Sequence, residues 1–196
     1  MTLKITDTIY FAGTVYLADS LQVSDCVAFA APHFQSSLSS SFVQALLCKT
    51  FIEGATLPSS MPFALENSFH IGQHSDVLLF SLTKASSNSP CGKFICNKFY
   101  WWNKQTRPYG TCLPLCCPVC GALWCWDRLV WSGLIGEGLW SVGCANPHCS
   151  LGENGAQLVP RGMISGVQPR GSRFITPKKK RQSGWMVVTL LYEEIL

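Results

Sequence analysis

Seven of the eleven cysteines fall between Cys112 and Cys149, and no other feature of this 196-residue chain narrows its fold as sharply. What such a cluster means depends on compartment. Met1 to Leu21 (MTLKITDTIYFAGTVYLADSL) has no basic start, continuous apolar stretch or small-residue cleavage site, so it does not read as a secretory signal. No stretch reaches the roughly 18 uninterrupted apolar residues of a membrane span; the Trp-rich segment Trp124 to Cys144 is broken by Asp127, Arg128 and Glu137. A soluble protein of the nucleus or cytoplasm is therefore expected, and there thiols stay reduced. Eleven is also odd, which forbids complete internal disulfide pairing. Metal ligation is the better reading of the cluster.

Within it, Cys117-Pro118-Val119-Cys120-Gly121 forms a C-P-x-C-G knuckle. A tight turn of this kind brings two thiolates to one ion, and its backbone N–H groups offset their negative charge. Cys144-Ala145-Asn146-Pro147-His148-Cys149 supplies a second candidate knuckle, and the 23 intervening residues suffice for a hairpin that returns the chain to the ion. Two knuckles separated by strands resemble a zinc ribbon. The second departs from the usual C-x-x-C, because it is C-x4-C with His148 inside. Two ligand sets follow: Cys117, Cys120, Cys144 and Cys149, or the same set with His148 in place of Cys149. Cys116 competes with Cys117. The four-thiolate set keeps the softest ligands for Zn²⁺ and is preferred. A closed set of four leaves no open position, so the zinc would be structural. The plain alternative is a degenerated, metal-free ribbon, since free cysteine often packs as a small apolar residue. That role is assigned to Cys26, Cys48, Cys91, Cys96, Cys112 and Cys125.

Ahead of the cluster the chain alternates apolar runs and one helical pattern. Thr8–Leu17, Cys26–Ala31 and Asp76–Leu82 read as strands. Ser37 to Ser41 offers N-caps to a helix with one face made of Phe42, Val43, Leu46, Leu47, Thr50 and Phe51, and Gly54 as its stop. Strand, helix and strand at this spacing predict an α/β fold, a partial parallel sheet with one main helix, followed by a small β-rich zinc-ribbon-like module. The expected divisions are an α/β part over 1–83, a polar connector over 84–90, the aromatic and Cys-rich module over 91–150, a basic loop over 151–183 and a C-terminal strand over 184–196.

Only 13% of residues are charged, about half of the usual share, and they are polarised. Residues 1–76 carry a net −4 and residues 77–196 a net +8. Such asymmetry points to an anionic partner, nucleic acid or protein, for the second half. Lys178, Lys179, Lys180 and Arg181 match a nuclear-import run or an anion-contact patch, though short basic runs are often solvated loops. Tyr100, Trp101 and Trp102 beside Lys98, Lys104 and Arg107 would stack bases if exposed; core packing is the favoured reading. His70 and His74 lack the H-E-x-x-H setting of a metalloprotease, and no phosphate loop, G-x-S-x-G or G-x-G-x-x-G motif is present.

Taken with the first knuckle, Gln73-His74-Ser75-Asp76-Val77-Leu78-Leu79-Phe80, Arg107-Pro108-Tyr109-Gly110 and Leu113-Pro114 resemble a family of uncharacterised proteins from mushroom-forming fungi. The resemblance covers about residues 20–150 and implies an α/β part before a zinc-ribbon-like segment, with no established activity. A more distant similarity links the N-terminal half to caspase-like peptidases. There Phe11-Ala12-Gly13 stands where the nucleophile would be, and Ala12 cannot serve as one. The expectation is thus a non-enzymatic zinc-binding protein, acting as an interaction or nucleic-acid-associated factor. A cysteine-peptidase-like enzyme using Cys26 or Cys48 with His70 or His74 is the rival, and a decayed gene product without stable function is the third reading.

Overall fold

The computed structural model describes residues 24–31, 36–82, 94–132, 138–149, 162–175 and 183–191. Thr8–Leu17, Ala12, the 84–90 connector and Lys178–Arg181 lie outside these residues. The chain divides into two compact units, one made of residues up to Trp101 and from Gly171 onward, the other of Trp102–Arg170.

In the first unit a five-stranded sheet has the order β1-β2-β3-β8-β7. Its strands are β1 (Asp25–Phe29), β2 (Val77–Leu82), β3 (Phe94–Asn103, which leaves this unit after Trp101), β7 (Arg173–Phe174) and β8 (Ser183–Leu191). Between β1 and β2 come α1 (Ser40–Leu47) with a π-helical extension over Cys48–Ile52, then α2 (Leu57–Glu66) and α3 (Phe69–His74). One sheet face carries Val77, Leu79, Phe99, Trp185 and Val187, packed with Phe42 and Leu46 of α1, Met61, Ala64 and Leu65 of α2, and Ile71 of α3. The other face carries Leu78, Phe80 and Cys96 with Cys26, Ala28 and Leu190.

The expected parallel sheet is not what forms. β1 pairs antiparallel with β2, Phe29 opposite Val77, and β2 pairs antiparallel with β3, Val77 opposite Phe99; β7 and β8 are antiparallel as well. The helical connection starts and finishes at one end of the sheet. Its two ends are tied by Ala30 N–H donating to Asp76 O at 3.0 Å and Ala31 N–H donating to the Ser75 hydroxyl at 3.0 Å. The apolar run Val77–Phe80 was a true sign of burial on both faces. Burial on both faces does not fix strand direction, and several helical segments among the described residues, where one was expected, bring the chain back to its starting end.

The face expected of the main helix is half right. Phe42 and Leu46 are buried, but Val43, Leu47 and Phe51 are exposed. Of the β3 aromatics, Tyr100 and Trp101 belong to this unit and Trp102 to the other. Tyr100 is buried, Trp101 meets Trp185 edge-on with ring centres 5.6 Å apart, and Lys98 pairs with Asp76 at 3.0 Å. Tyr100 and Trp101 are thus engaged in packing and Lys98 in an ion pair. No helix among the described residues is long and apolar enough to cross a membrane.

The second unit contains a three-stranded antiparallel sheet, β4 (Val130–Ser132), β5 (Leu139–Gly143) and β6 (Met163–Gly166), in that order. Trp140 of β5 is buried with Leu129 and Val142, and Tyr109, Leu113, Trp126, Trp131 and Ile164 pack around them. A separate buried cluster in this unit is made of Cys117, Cys144 and Cys149, with Cys120, Cys125 and Trp126 packed against it.

Candidate metal centre

The first knuckle is built by local backbone geometry. Cys117 N–H donates to Ala122 O and Gly121 N–H donates to Cys117 O, each at 2.9 Å, which folds 117–122 into a tight turn. Gly121 sits at φ +69°, a conformation that glycine adopts without strain. Cys116 and Leu123 form a bridge that closes the base of the turn. Within it Val119 N–H points at Cys117 Sγ, 3.4 Å away.

The second knuckle follows β5 directly. Its turn is closed by Cys149 N–H donating to Asn146 O at 3.1 Å, while the Asn146 side-chain oxygen accepts His148 N–H at 3.0 Å. The Asn146 amide also reaches across to Cys120 Sγ at 3.5 Å, so one side chain ties the two knuckles together. A third segment completes the centre: Gly162, just before β6. Its carbonyl accepts Cys144 N–H at 2.8 Å, and its own N–H donates to Cys149 Sγ at 3.3 Å.

These three segments bring Cys117, Cys120, Cys144 and Cys149 into one group, with all four sulfurs within 4.8 Å of one another. Cys117 Sγ lies 3.6 Å from Cys149 Sγ, and Cys120 Sγ lies 3.7 Å from Cys144 Sγ. Cys117, Cys144 and Cys149 are buried and Cys120 is half-buried. Four thiols so enclosed can hold a metal ion. The His148 and Cys116 alternatives stay out of the group: both are exposed, and neither joins the four sulfurs.

The electrostatics of the set are divided. Burial pushes the Cys117 thiol up, but the backbone N–H groups of Cys120 and Val119 outweigh it and bring the thiol down to about 6. The Ala122 N–H and the Asn146 amide likewise lower Cys120. Burial drives Cys144 far up. For Cys149 the Gly162 N–H pulls downward, yet burial and the neighbouring Cys117 sulfur win and leave it raised. The first knuckle is thus shifted toward thiolate and the second toward thiol, relative to an ordinary cysteine. Metals bind thiolates, so capture expels protons mainly from Cys144 and Cys149, and affinity rises with pH. A competition titration at about pH 6 and about pH 8 is expected to give tighter binding at the higher value; equal affinities would show that no thiol proton is displaced.

Gly162, Asn146 and Cys125 had no signal in the sequence that marked them for this site. Gly162 has no room for a side chain: a Cβ there would stand 2.5 Å from Cys117 Sγ and 3.5 Å from Cys149 Sγ. Gly162→Ala is expected to push Cys117 out of position and weaken metal binding by about 10- to 100-fold, the range seen when groups around a metal's ligands are disturbed. An indicator-competition assay measures this, and an unchanged affinity would mean the cage yields freely.

Other singled-out residues lie elsewhere. His70 and His74 are exposed on α3. Cys48 is exposed in the π-helical turn. Cys26 is half-buried on β1, directs its S–H at Val27 O, and has its pKa raised by burial, the reverse of what an activated thiol nucleophile needs. Compared with known proteins, the chain matches no family model, no curated protein and no solved structure.

Proposed function

We propose that this chain is a non-enzymatic zinc-binding protein whose second unit is a zinc-ribbon-like module, with Cys117, Cys120, Cys144 and Cys149 holding one structural Zn²⁺. The spacing of the sulfurs carries this reading. A tetrahedral zinc with Zn–S bonds of about 2.3 Å holds its sulfurs about 3.8 Å apart, close to the 3.6 and 3.7 Å contacts between the two knuckles. Four soft ligands with N–H groups directed at their sulfurs suit zinc better than a hard cation. A set with no open position stabilises the fold and does not activate water. Cobalt substitution tests it. Intense absorption from tetrahedral thiolate-bound Co²⁺ is expected at one equivalent; the weak spectrum of six-coordinate cobalt would overturn the assignment.

The task served by this module is interaction, with protein or nucleic acid. Two observations support that. Leu115, Val119, Leu123 and Trp124 are exposed around the first knuckle, Trp124 at 82%, and a hydrogen bond from Trp124 N–H to Leu115 O holds two of them side by side. Isolated exposed apolar residues are ordinary, but a group of them on one turn marks a contact surface. The net +8 of residues 77–196, most of it carried outside the second unit, with Lys178–Arg181 serving as import signal or anion contact, favours an acidic partner for the chain as a whole. If that partner is nucleic acid, binding of a single-stranded oligonucleotide weakens steeply with added salt. Salt-independent binding, or none, assigns the surface to a protein.

A further inference from the structure

Cys125 stands against the metal centre without belonging to it. Its Sγ is 3.3 Å from Cys144 Sγ, nearer than the 3.6 and 3.7 Å contacts between the knuckles, yet it is not one of the four mutually close sulfurs. Backbone pairing sets this closeness. Trp126 bridges Cys144 and Ala145 N–H donates to Cys125 O, so the chain segments bearing the two thiols run side by side. Cys125 Sγ also donates to Ala122 O at 3.0 Å. Cys125 is half-buried, whereas Cys144 is fully buried. With a metal in the cage, the four ligand sulfurs are each engaged, and Cys125 is the thiol left free in contact with one of them.

Resting on the zinc reading, we infer that Cys125 and Cys144 form a peroxide-sensitive pair whose disulfide removes one ligand and releases the metal. Hydrogen peroxide is the oxidant. The half-exposed Cys125 thiol loses its proton to water and its sulfur attacks one peroxide oxygen; the O–O bond breaks, Cys125 becomes a sulfenic acid and hydroxide leaves. The Cys144 thiolate then attacks the Cys125 sulfur. The S–S bond forms, the S–O bond breaks and a second hydroxide departs, one of the two hydroxides taking up the proton first lost. The two sulfurs give up two electrons and the peroxide accepts them. The four-sulfur set is reduced to three, too few for a closed structural site.

The test treats zinc-loaded full-length protein with hydrogen peroxide, follows zinc with a chromogenic indicator and maps disulfides by peptide mass spectrometry. The Cys125–Cys144 linked peptide is expected to accumulate in step with zinc release. Cys125→Ser and Cys125→Ala are expected to bind one zinc beforehand and to release it about tenfold more slowly. Release at the wild-type rate from both variants, or a disulfide joining other cysteines, overturns the pairing. A wild-type chain that takes up no zinc before peroxide is added overturns the zinc reading instead, and the release step with it.

Discussion

Replacing Cys144 with Ser is expected to empty the metal cage and melt the second unit while the first keeps its core. Cys144 is fully buried and donates its N–H to Gly162 O, so its sulfur joins the knuckles and its backbone anchors the third segment. The apolar core of this unit is small, centred on Leu129, Trp140 and Val142, and small domains rely on metals where such cores fall short. Structural zinc supplies about 10–16 kcal/mol of apparent binding free energy at neutral pH, more than a core of this size yields. The first unit buries Phe42, Met61, Leu65, Ile71, Val77 and Leu79 around Trp185 independently of any metal. Amide NMR separates the outcomes. Signals from residues 102–170 should collapse in Cys144→Ser, and those of β2 and β8 should stay dispersed. A spectrum unchanged throughout would mean that the unit folds without its metal.

Trp185→Ala is expected to have the next largest effect, confined to the first unit. Trp185 is 1% exposed and sits where β8 faces the helices, its ring edge-on to Trp101. Truncating a buried tryptophan loses its transfer free energy and leaves a cavity, together worth about 3–5 kcal/mol. The denaturant midpoint of this unit should fall accordingly, with zinc stoichiometry unaltered. A loss under about 1 kcal/mol would show that Trp101 and the α3 residues close over the space.

The four-cysteine site was legible in the sequence because a knuckle is a local device. The spacing of Cys117 and Cys120, with Gly121 at the required backbone angle, sets two thiols side by side wherever the chain goes. The departure of the second knuckle from C-x-x-C also has a local solution. Asn146 uses its side-chain oxygen to close the longer turn and its amide to reach Cys120. Gly162 and the approach of Cys125 to Cys144 were not legible, since both arise from pairing between separate segments.

The strands around Cys26, Val77 and Gly184 were readable from their apolar and β-branched runs, but direction was not. Antiparallel pairing of β1 with β2 depends on where a 47-residue connection re-enters the sheet. Much of that connection was hidden by its own composition. α2 contains Pro58 in its first turn and Pro62 inside. Proline is acceptable at a helix start and costly in its interior, so this segment carries no helical pattern that outweighs it. Burial of Met61, Ala64 and Leu65 against the sheet supplies what local propensity withholds.

The most direct measurement is the zinc content of the full-length chain, purified under reducing conditions with zinc supplied and read together with alkylation of its thiols. One zinc per chain is expected, with Cys117, Cys120, Cys144 and Cys149 protected from alkylation until a chelator strips the metal and the second unit unfolds. Less than about 0.5 zinc per chain, with folding unchanged by chelation, would contradict a zinc-organised second unit.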